Sequence, residues 1–266
     1  MSNVTSNFTH EIQLPSMGYL NPEIPEGKIV QRCITVRDQK FVVGSRASSG
    51  NNSRELLKRT IQSPESVDID SLTVPDTLYL LFKLRSLSYG DKFSYRARCP
   101  ECGDRIDVTI DLSDLQVTSL QEDYAKSLEI VLPNSGDTVY TRILRNRDID
   151  EIREEVKRIA KKNGDEDGTG FVLRLVKMIK RVKLKEANAD GDKILEHPVD
   201  IQKYVEDLTD LDATAIASTT GNISFGISPT VEYFCPSCRE YIDLNVEFDS
   251  NFFRPKYDAT SRGIDI

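Results

Sequence analysis

The residues with the clearest chemistry are two Cys-Pro-x-Cys motifs, Cys99-Pro100-Glu101-Cys102 and Cys235-Pro236-Ser237-Cys238. Thiolate sulfur is a soft ligand, and four thiolates complete the tetrahedral coordination of a zinc ion. We therefore expect one Zn²⁺ to be bound by Cys99, Cys102, Cys235 and Cys238. A site closed by four protein ligands leaves no open position for water or substrate, so the predicted zinc is structural and not catalytic.

The segments around each motif predict a β-hairpin. Apolar and polar residues alternate in residues 93–98 and 106–112 around the first motif, and in residues 230–234 and 241–248 around the second. Alternation with a period of two is typical of a half-buried strand. Each motif would then be a knuckle at a hairpin tip, and the two tips would meet at the metal as in a zinc ribbon.

Two other uses of the cysteines are weighed against zinc. A redox dithiol of the thioredoxin type should open a helix, whereas a strand is predicted after each motif here. Disulfides would suit a secreted chain, but Met1 to His10 is polar and lacks the apolar segment of a signal peptide. We expect reduced thiols, with Cys33 a small buried residue in a strand and with neither His10 nor His197 bound to metal.

Length, composition and charge restrict the classes of protein. The chain has 266 residues, of which 38% are hydrophobic and 29% charged, as in an ordinary soluble protein of one large or two small domains. No apolar run approaches the roughly 18 residues that a membrane helix needs, so no membrane association is expected. The net charge of −8 opposes binding to nucleic acid.

Between the two motifs the pattern changes from strands to helices. A helix that is apolar on nearly all sides is predicted over residues 76–87, and a hairpin over residues 128–144 with Gly136-Asp137 at its tip. Helical spacing of apolar residues then predicts helices that begin near Asp148, at Phe171 (ending at Val182), at Asp200 and at Asp210.

These elements predict an α+β fold in which β-hairpins are clipped by a zinc-ribbon-like site of four cysteines and a helical segment is inserted. We divide the chain into residues 1–145, an N-terminal α+β part with the first knuckle, and residues 146–222, a helical insertion. Residues 223–266 form the second knuckle hairpin and complete the N-terminal part. Arg85 lies within the apolar helix, so it either has a partner there or extends to solvent.

The sequence offers no catalytic constellation. It lacks a glycine-rich phosphate loop, a histidine-containing metal motif, and a serine or cysteine nucleophile with a histidine base. We predict no enzymatic activity, no catalytic or cofactor-binding residues apart from the metal ligands, and no small-molecule ligand.

Five short motifs, taken in order, indicate a family. They are Leu14-Pro15-Ser16-x-Gly18, Leu84-Arg85-x-x-Ser88-Tyr89-Gly90, Leu132-Pro133-x-x-Gly136, Cys235-Pro236-x-Cys238 and Phe252-Phe253-Arg254-Pro255. In this order the set resembles the baseplate hub assembly proteins of T-even-like, contractile-tailed bacteriophages. The chain differs from the compact members in its size, with extended loops expected at residues 45–52 and 165–170.

The resemblance implies a non-enzymatic role in building the hub at the tip of the tail, as an assembly factor or as a virion component. Its partners would be other baseplate hub and tail proteins. It would be found in the host cell cytoplasm during assembly and, if it is incorporated, in the tail baseplate of the virion.

The sequence leaves two questions. The alternative function is a zinc-ribbon nucleic-acid-binding or transcription regulatory protein, which the acidic residues around the second knuckle disfavour, among them Glu232, Glu240 and Asp243. The second question is whether Phe252 and Phe253 both pack in the core or whether one ring is offered to a partner.

Overall fold

A computed structural model describes residues 8–39, 49–65, 67–163, 167–185, 193–221, 223–246 and 252–253. It combines helices with small antiparallel sheets, so the predicted α+β class is confirmed. Within the described residues, no helix has both the length and the apolar character that a membrane crossing requires.

The helices are α1 (Ser49–Thr60), α2 (Val74–Tyr89), α3 (Asn146–Asn163), α4 (Asp167–Met178), α5 (Pro198–Glu206) and α6 (Asp210–Gly221). The strands are β1 (Thr9–Gln13), β2 (Lys28–Arg32), β3 (Ile61–Ser63), β4 (Lys92–Arg98), β5 (Arg105–Asp111), β6 (Val117–Thr118), β7 (Glu129–Val131), β8 (Thr138–Thr141), β9 (Ile179–Lys183), β10 (Ile194–Leu195), β11 (Gly226–Ile227), β12 (Thr230–Phe234) and β13 (Tyr241–Asn245).

The first hydrophobic core forms around α2, the helix predicted to be central. Leu80 and Leu84 are fully buried, and the helix packs with α1 and with the sheet of order β1-β2-β3. Thr73 caps its N-terminus by accepting a hydrogen bond from the backbone N–H of Asp76. A helix that is apolar on all sides is stable here because other elements cover it on all sides.

The N-terminal Leu-Pro-Ser motif is tied to this helix. The backbone N–H of Ser16 donates to the carboxylate of Asp76 at 3.0 Å, and burial raises the pKa of Asp76. Gly18 has a φ of 83°, and a Cβ there would lie 2.5 Å from the backbone nitrogen of Gly27. The motif therefore needs glycine because two backbone segments touch at this point.

Arg85 is a buried partner of backbone carbonyls and does not extend to solvent. Its side chain is 2% exposed, and its guanidinium donates to the carbonyl oxygens of Gly90 at 2.8 Å and Lys92 at 3.1 Å. The group also lies over the rings of Tyr89 and Phe93. These contacts fix the start of β4 relative to α2, and so they position the first knuckle hairpin.

A second core lies between the sheet of order β10-β9-β8-β7 and helices α4, α5 and α6. Val139 and Val182 face this core from the sheet, and Ile201 and Ile216 face it from the helices. The division of the chain at residue 146 stays a prediction; it assigns the hairpin β7–β8 to the first part, although the inner face of that hairpin packs in this second core.

The prediction that one helix runs from Phe171 to Val182 is wrong. Helix α4 ends at Met178, and β9 follows at once and pairs with β8. The register shifts at Tyr140/Thr141, so that Lys180 is an extra residue and both Ile179 and Val182 face the core. This bulge produces an apolar spacing of three residues, which in the sequence looks like one face of a helix.

The other helical predictions are confirmed, with small shifts of their ends: residues near Asp148, Asp200 and Asp210 begin α3, α5 and α6. Of the two predicted extended loops, residues 49–52 and 167–170 belong instead to α1 and α4. The rest of those loops, and Arg254-Pro255 of the C-terminal motif, lie outside the described residues.

Candidate metal centre

Each Cys motif lies at the tip of an antiparallel hairpin, as predicted. Strand β4 pairs with β5 from Lys92↔Asp111 to Arg98↔Arg105, and β12 pairs with β13 from Thr230↔Asn245 to Phe234↔Tyr241. The last pair of each ladder is therefore adjacent to the first cysteine of its motif. The strand ladders of the hairpins therefore position the cysteine backbones without help from a metal.

The two hairpins face each other through their apolar sides. Ile106 and Val108 of the first hairpin and Ile242 and Leu244 of the second are buried in one cluster with Cys99 and Cys235. The hydroxyl of Tyr233 also donates to the carbonyl oxygen of Asp107 at 3.2 Å. Packing of the inner faces brings together two tips that are separated by more than 130 residues in the sequence.

The two knuckles have the same backbone hydrogen bonds. In the first knuckle, the backbone N–H of Cys99 donates to the carbonyl oxygen of Asp104, and that of Gly103 donates to the carbonyl oxygen of Cys99. In the second, the N–H of Cys235 donates to the carbonyl oxygen of Glu240, and that of Arg239 donates to the carbonyl oxygen of Cys235. All four bonds are 2.9 to 3.0 Å long. The residue after the second cysteine has a positive φ in both, 76° at Gly103 and 64° at Arg239. These two positions were not predicted from the sequence, although their equal offset from the motif could have indicated them.

All four predicted ligand residues are brought together. Their sulfurs lie within 4.8 Å of one another, with Cys99 Sγ 3.8 Å from Cys238 Sγ and Cys102 Sγ 4.0 Å from Cys235 Sγ. A disulfide requires about 2.05 Å between sulfurs, so none of these pairs is bonded. Four sulfurs spaced around one point are compatible with a metal site.

Backbone N–H groups, burial and neighbouring thiols shift the pKa values of Cys235 and Cys238 in opposite directions. Backbone N–H groups of Cys238 and Ser237 lower the pKa of Cys235 to about 7. The backbone N–H of Glu240 acts in the same direction on Cys238, but burial and the neighbouring thiols outweigh it and raise its pKa to about 12. The raised pKa keeps the proton on the Cys238 thiol at neutral pH, whereas a divalent metal would stabilise its thiolate.

The remaining cysteine and the histidines lie apart from this cluster. Cys33 follows β2 and is half-buried, so the expectation of a buried strand residue is wrong; its thiol donates to the carbonyl oxygen of Leu87 at 3.1 Å. His10 is an exposed residue of β1, and His197 caps α5. Within the described ranges, the four clustered cysteines are the one group of three or more side chains placed to hold a metal ion.

Substitutions at Gly103 and Arg239, the two knuckle residues with positive φ, should change the free energy of unfolding in opposite directions. Gly103→Ala should lower the free energy of unfolding by about 1–2 kcal/mol, because a Cβ there meets no atom within 4 Å and only the backbone conformation is strained. Arg239→Gly should raise the free energy of unfolding by up to about 1 kcal/mol by relieving the same strain. Urea unfolding of the purified protein measures both, with Arg239→Ala as the control that removes the rest of the side chain but keeps the Cβ. A loss of stability in Arg239→Gly would contradict this account.

The Leu-Arg-x-x-Ser-Tyr-Gly and Phe-Phe motifs make contacts that hold the fold together. Ser88 Oγ accepts from the backbone N–H of Ile34, and the hydroxyl of Tyr89 donates to the carbonyl oxygen of Phe253. Both rings of the Phe252-Phe253 motif are buried. The motifs thus connect α2, the first hairpin and the end of the chain, and the interpretation in which both phenylalanines pack in the core is confirmed.

A family model described as T4 bacteriophage base plate protein matches residues 17–254, which include both Cys motifs. Neither the curated proteins nor the solved structures give a significant match to the chain.

Proposed function

Because the chain belongs to the T4 bacteriophage base plate protein family, we propose that this phage baseplate protein acts in the hub of the baseplate. Its role is non-enzymatic: it helps to assemble the hub, and its partners are other hub and tail proteins. It acts in the host cell cytoplasm during assembly and is carried into the tail of the virion.

The observation that carries this proposal is the extent of the family match together with the position of the motif residues. The match spans residues 17–254, and the motif side chains within the described structure, apart from the exposed Pro133 and Pro236, are engaged in packing, in backbone contacts or in the cysteine cluster. Because these residues are engaged inside the fold, they support a structural role, in which a rigid framework positions the surface that binds other proteins.

We further propose that Cys99, Cys102, Cys235 and Cys238 bind one structural Zn²⁺ in a zinc-ribbon-like arrangement. Zinc bound at about 2.3 Å from each of four sulfurs in a tetrahedron separates the sulfurs by about 3.8 Å. Two of the separations here are 3.8 Å and 4.0 Å and all lie within 4.8 Å, so the cluster suits this ion with little movement. The zinc would hold the two hairpins together, and their outer surfaces would then be available for baseplate contacts.

Deletion of the gene in the phage genome tests the hub role. We expect the deletion to yield no infectious particles and to stop tail assembly at baseplates that lack a complete hub, as seen by electron microscopy. A plasmid copy should restore infectious tails, and mass spectrometry of purified virions should detect the protein. Normal tails from the deletion phage would refute a role in assembly, and its absence from purified virions would refute incorporation.

A further inference from the structure

The two knuckle hairpins present surfaces of opposite character. Side chains alternate between the faces of a strand, and the inner faces of both hairpins are buried against each other. The outer faces therefore point away from each other, on opposite sides of the two-hairpin unit. Each outer face carries one cross-strand pair of side chains with the same charge.

The outer face of the second hairpin is aromatic and acidic. The rings of Phe234 and Tyr241 meet edge to face at 5.4 Å near the knuckle, and they are 47% and 69% exposed. Glu232 and Asp243 are paired directly across the strands one step further along, and both are exposed. Two carboxylates in this position repel each other, and neither forms an ion pair with another described residue.

The outer face of the first hairpin carries a pair of positive charges next to its knuckle. Arg98 and Arg105 are directly opposed and exposed, at the same offsets from the cysteines as Phe234 and Tyr241. Among the described ion pairs of this face, Asp107 is bound to Arg96 at 2.9 Å, so it does not neutralise the two other arginines. This pair is also a repulsive one within its own hairpin.

We propose that the two outer faces bind each other between copies of this chain, so that Arg98 and Arg105 of one copy dock on the aromatic and acidic face of the next. Guanidinium groups stack on exposed aromatic rings and pair with carboxylates, and the second hairpin offers both within one short ladder. One contact would relieve both like-charge pairs. Because the two surfaces differ, the contact is heterologous, and repetition of it builds a ring or a chain of copies.

A second copy accounts for both faces, whereas a basic partner protein would account for the acidic face alone. The net charge of −8 opposes association at long range. That repulsion is screened near 0.15 M salt, where the Debye length is about 8 Å, while groups in direct contact still attract each other. The proposal depends on the packing of the hairpins and holds whether or not the hub role is correct.

Sedimentation of the purified, metal-loaded protein at 0.15 M salt tests the proposal, because wild-type protein should associate as its concentration rises. Glu232→Lys/Asp243→Lys and Arg98→Glu/Arg105→Glu should each raise the dissociation constant by roughly tenfold or more. Equimolar mixing of the two variants should restore association, since the unchanged face of each then meets the unchanged face of the other. Glu122→Lys/Glu154→Lys changes the net charge by the same amount as Glu232→Lys/Asp243→Lys, at exposed sites elsewhere, and should associate at least as well as wild type.

Circular dichroism and metal content establish that each variant is folded before the comparison. Wild-type protein that stays monomeric at every concentration would overturn the proposal. Association that survives both double substitutions, or variants that fail to complement each other when mixed, would overturn it too. In the last case the faces would belong to contacts with other baseplate proteins.

Discussion

Cys99→Ser and Cys238→Ser are each expected to lose the bound zinc and to lower the free energy of unfolding by on the order of 5 kcal/mol or more. Each of the two thiols belongs to a different hairpin, and their sulfurs are 3.8 Å apart. Loss of either one leaves three ligands, so the metal is held less tightly and the tips are no longer joined. The two hairpins are then held together by the apolar cluster between them and by the hydrogen bond from Tyr233 to Asp107.

Elemental analysis should find about one zinc per chain of wild type, and thermal unfolding with and without a chelator should show the contribution of the metal. Cys33→Ser is the matched control, because Cys33 contacts the carbonyl oxygen of Leu87 and no other cysteine. It should keep its zinc and nearly all of its stability. Wild-type protein that holds no metal and has its thiols in disulfides would refute the zinc proposal.

Local patterns were sufficient to predict the elements that position the candidate site. Strict alternation around each Cys-Pro-x-Cys motif predicted β4–β5 and β12–β13, because each hairpin has one buried face and one exposed face. The apolar run over residues 76–87 predicted α2, because a helix covered on all sides leaves no polar stripe. In both cases the residues of the element itself show which of its faces are buried.

The predictions failed, or stayed open, where contacts outside the element itself decide the structure. Strand β9 has helical spacing of its apolar residues because a bulge opposite Tyr140/Thr141 turns both Ile179 and Val182 inward. The partner of Arg85 could not be read from α2, because it is the backbone at Gly90 and Lys92, whose carbonyls turn toward the guanidinium only in the fold. Likewise, the sequence does not show that the basic and acidic residues lie on two opposite outer faces, because this depends on the packing of the inner faces.

Phe252→Ala is expected to lower the free energy of unfolding by about 3–5 kcal/mol, since its ring is fully buried and the core cannot fill the space. The ring lies 5.3 Å from Phe82 of α2, 5.1 Å from Phe93 of the first hairpin and 5.0 Å from Phe253. It therefore joins the end of the chain to both the central helix and the first knuckle hairpin. Phe253→Ala should act in the same direction, because Phe253 is 7% exposed and its carbonyl accepts from Tyr89.

Phe234→Ala provides the matched control, because it removes the same ring from an exposed face and should change the free energy of unfolding by less than about 1 kcal/mol. Thermal unfolding of the three variants gives the stabilities, and counts of infectious tails in complemented deletion phage give the function. Since Phe252 is a core residue, tails should appear in proportion to the amount of folded Phe252→Ala protein. A Phe252→Ala variant as stable as wild type that fails to build tails would show instead that this ring contacts a partner, and the structural role of the Phe-Phe motif would have to be abandoned.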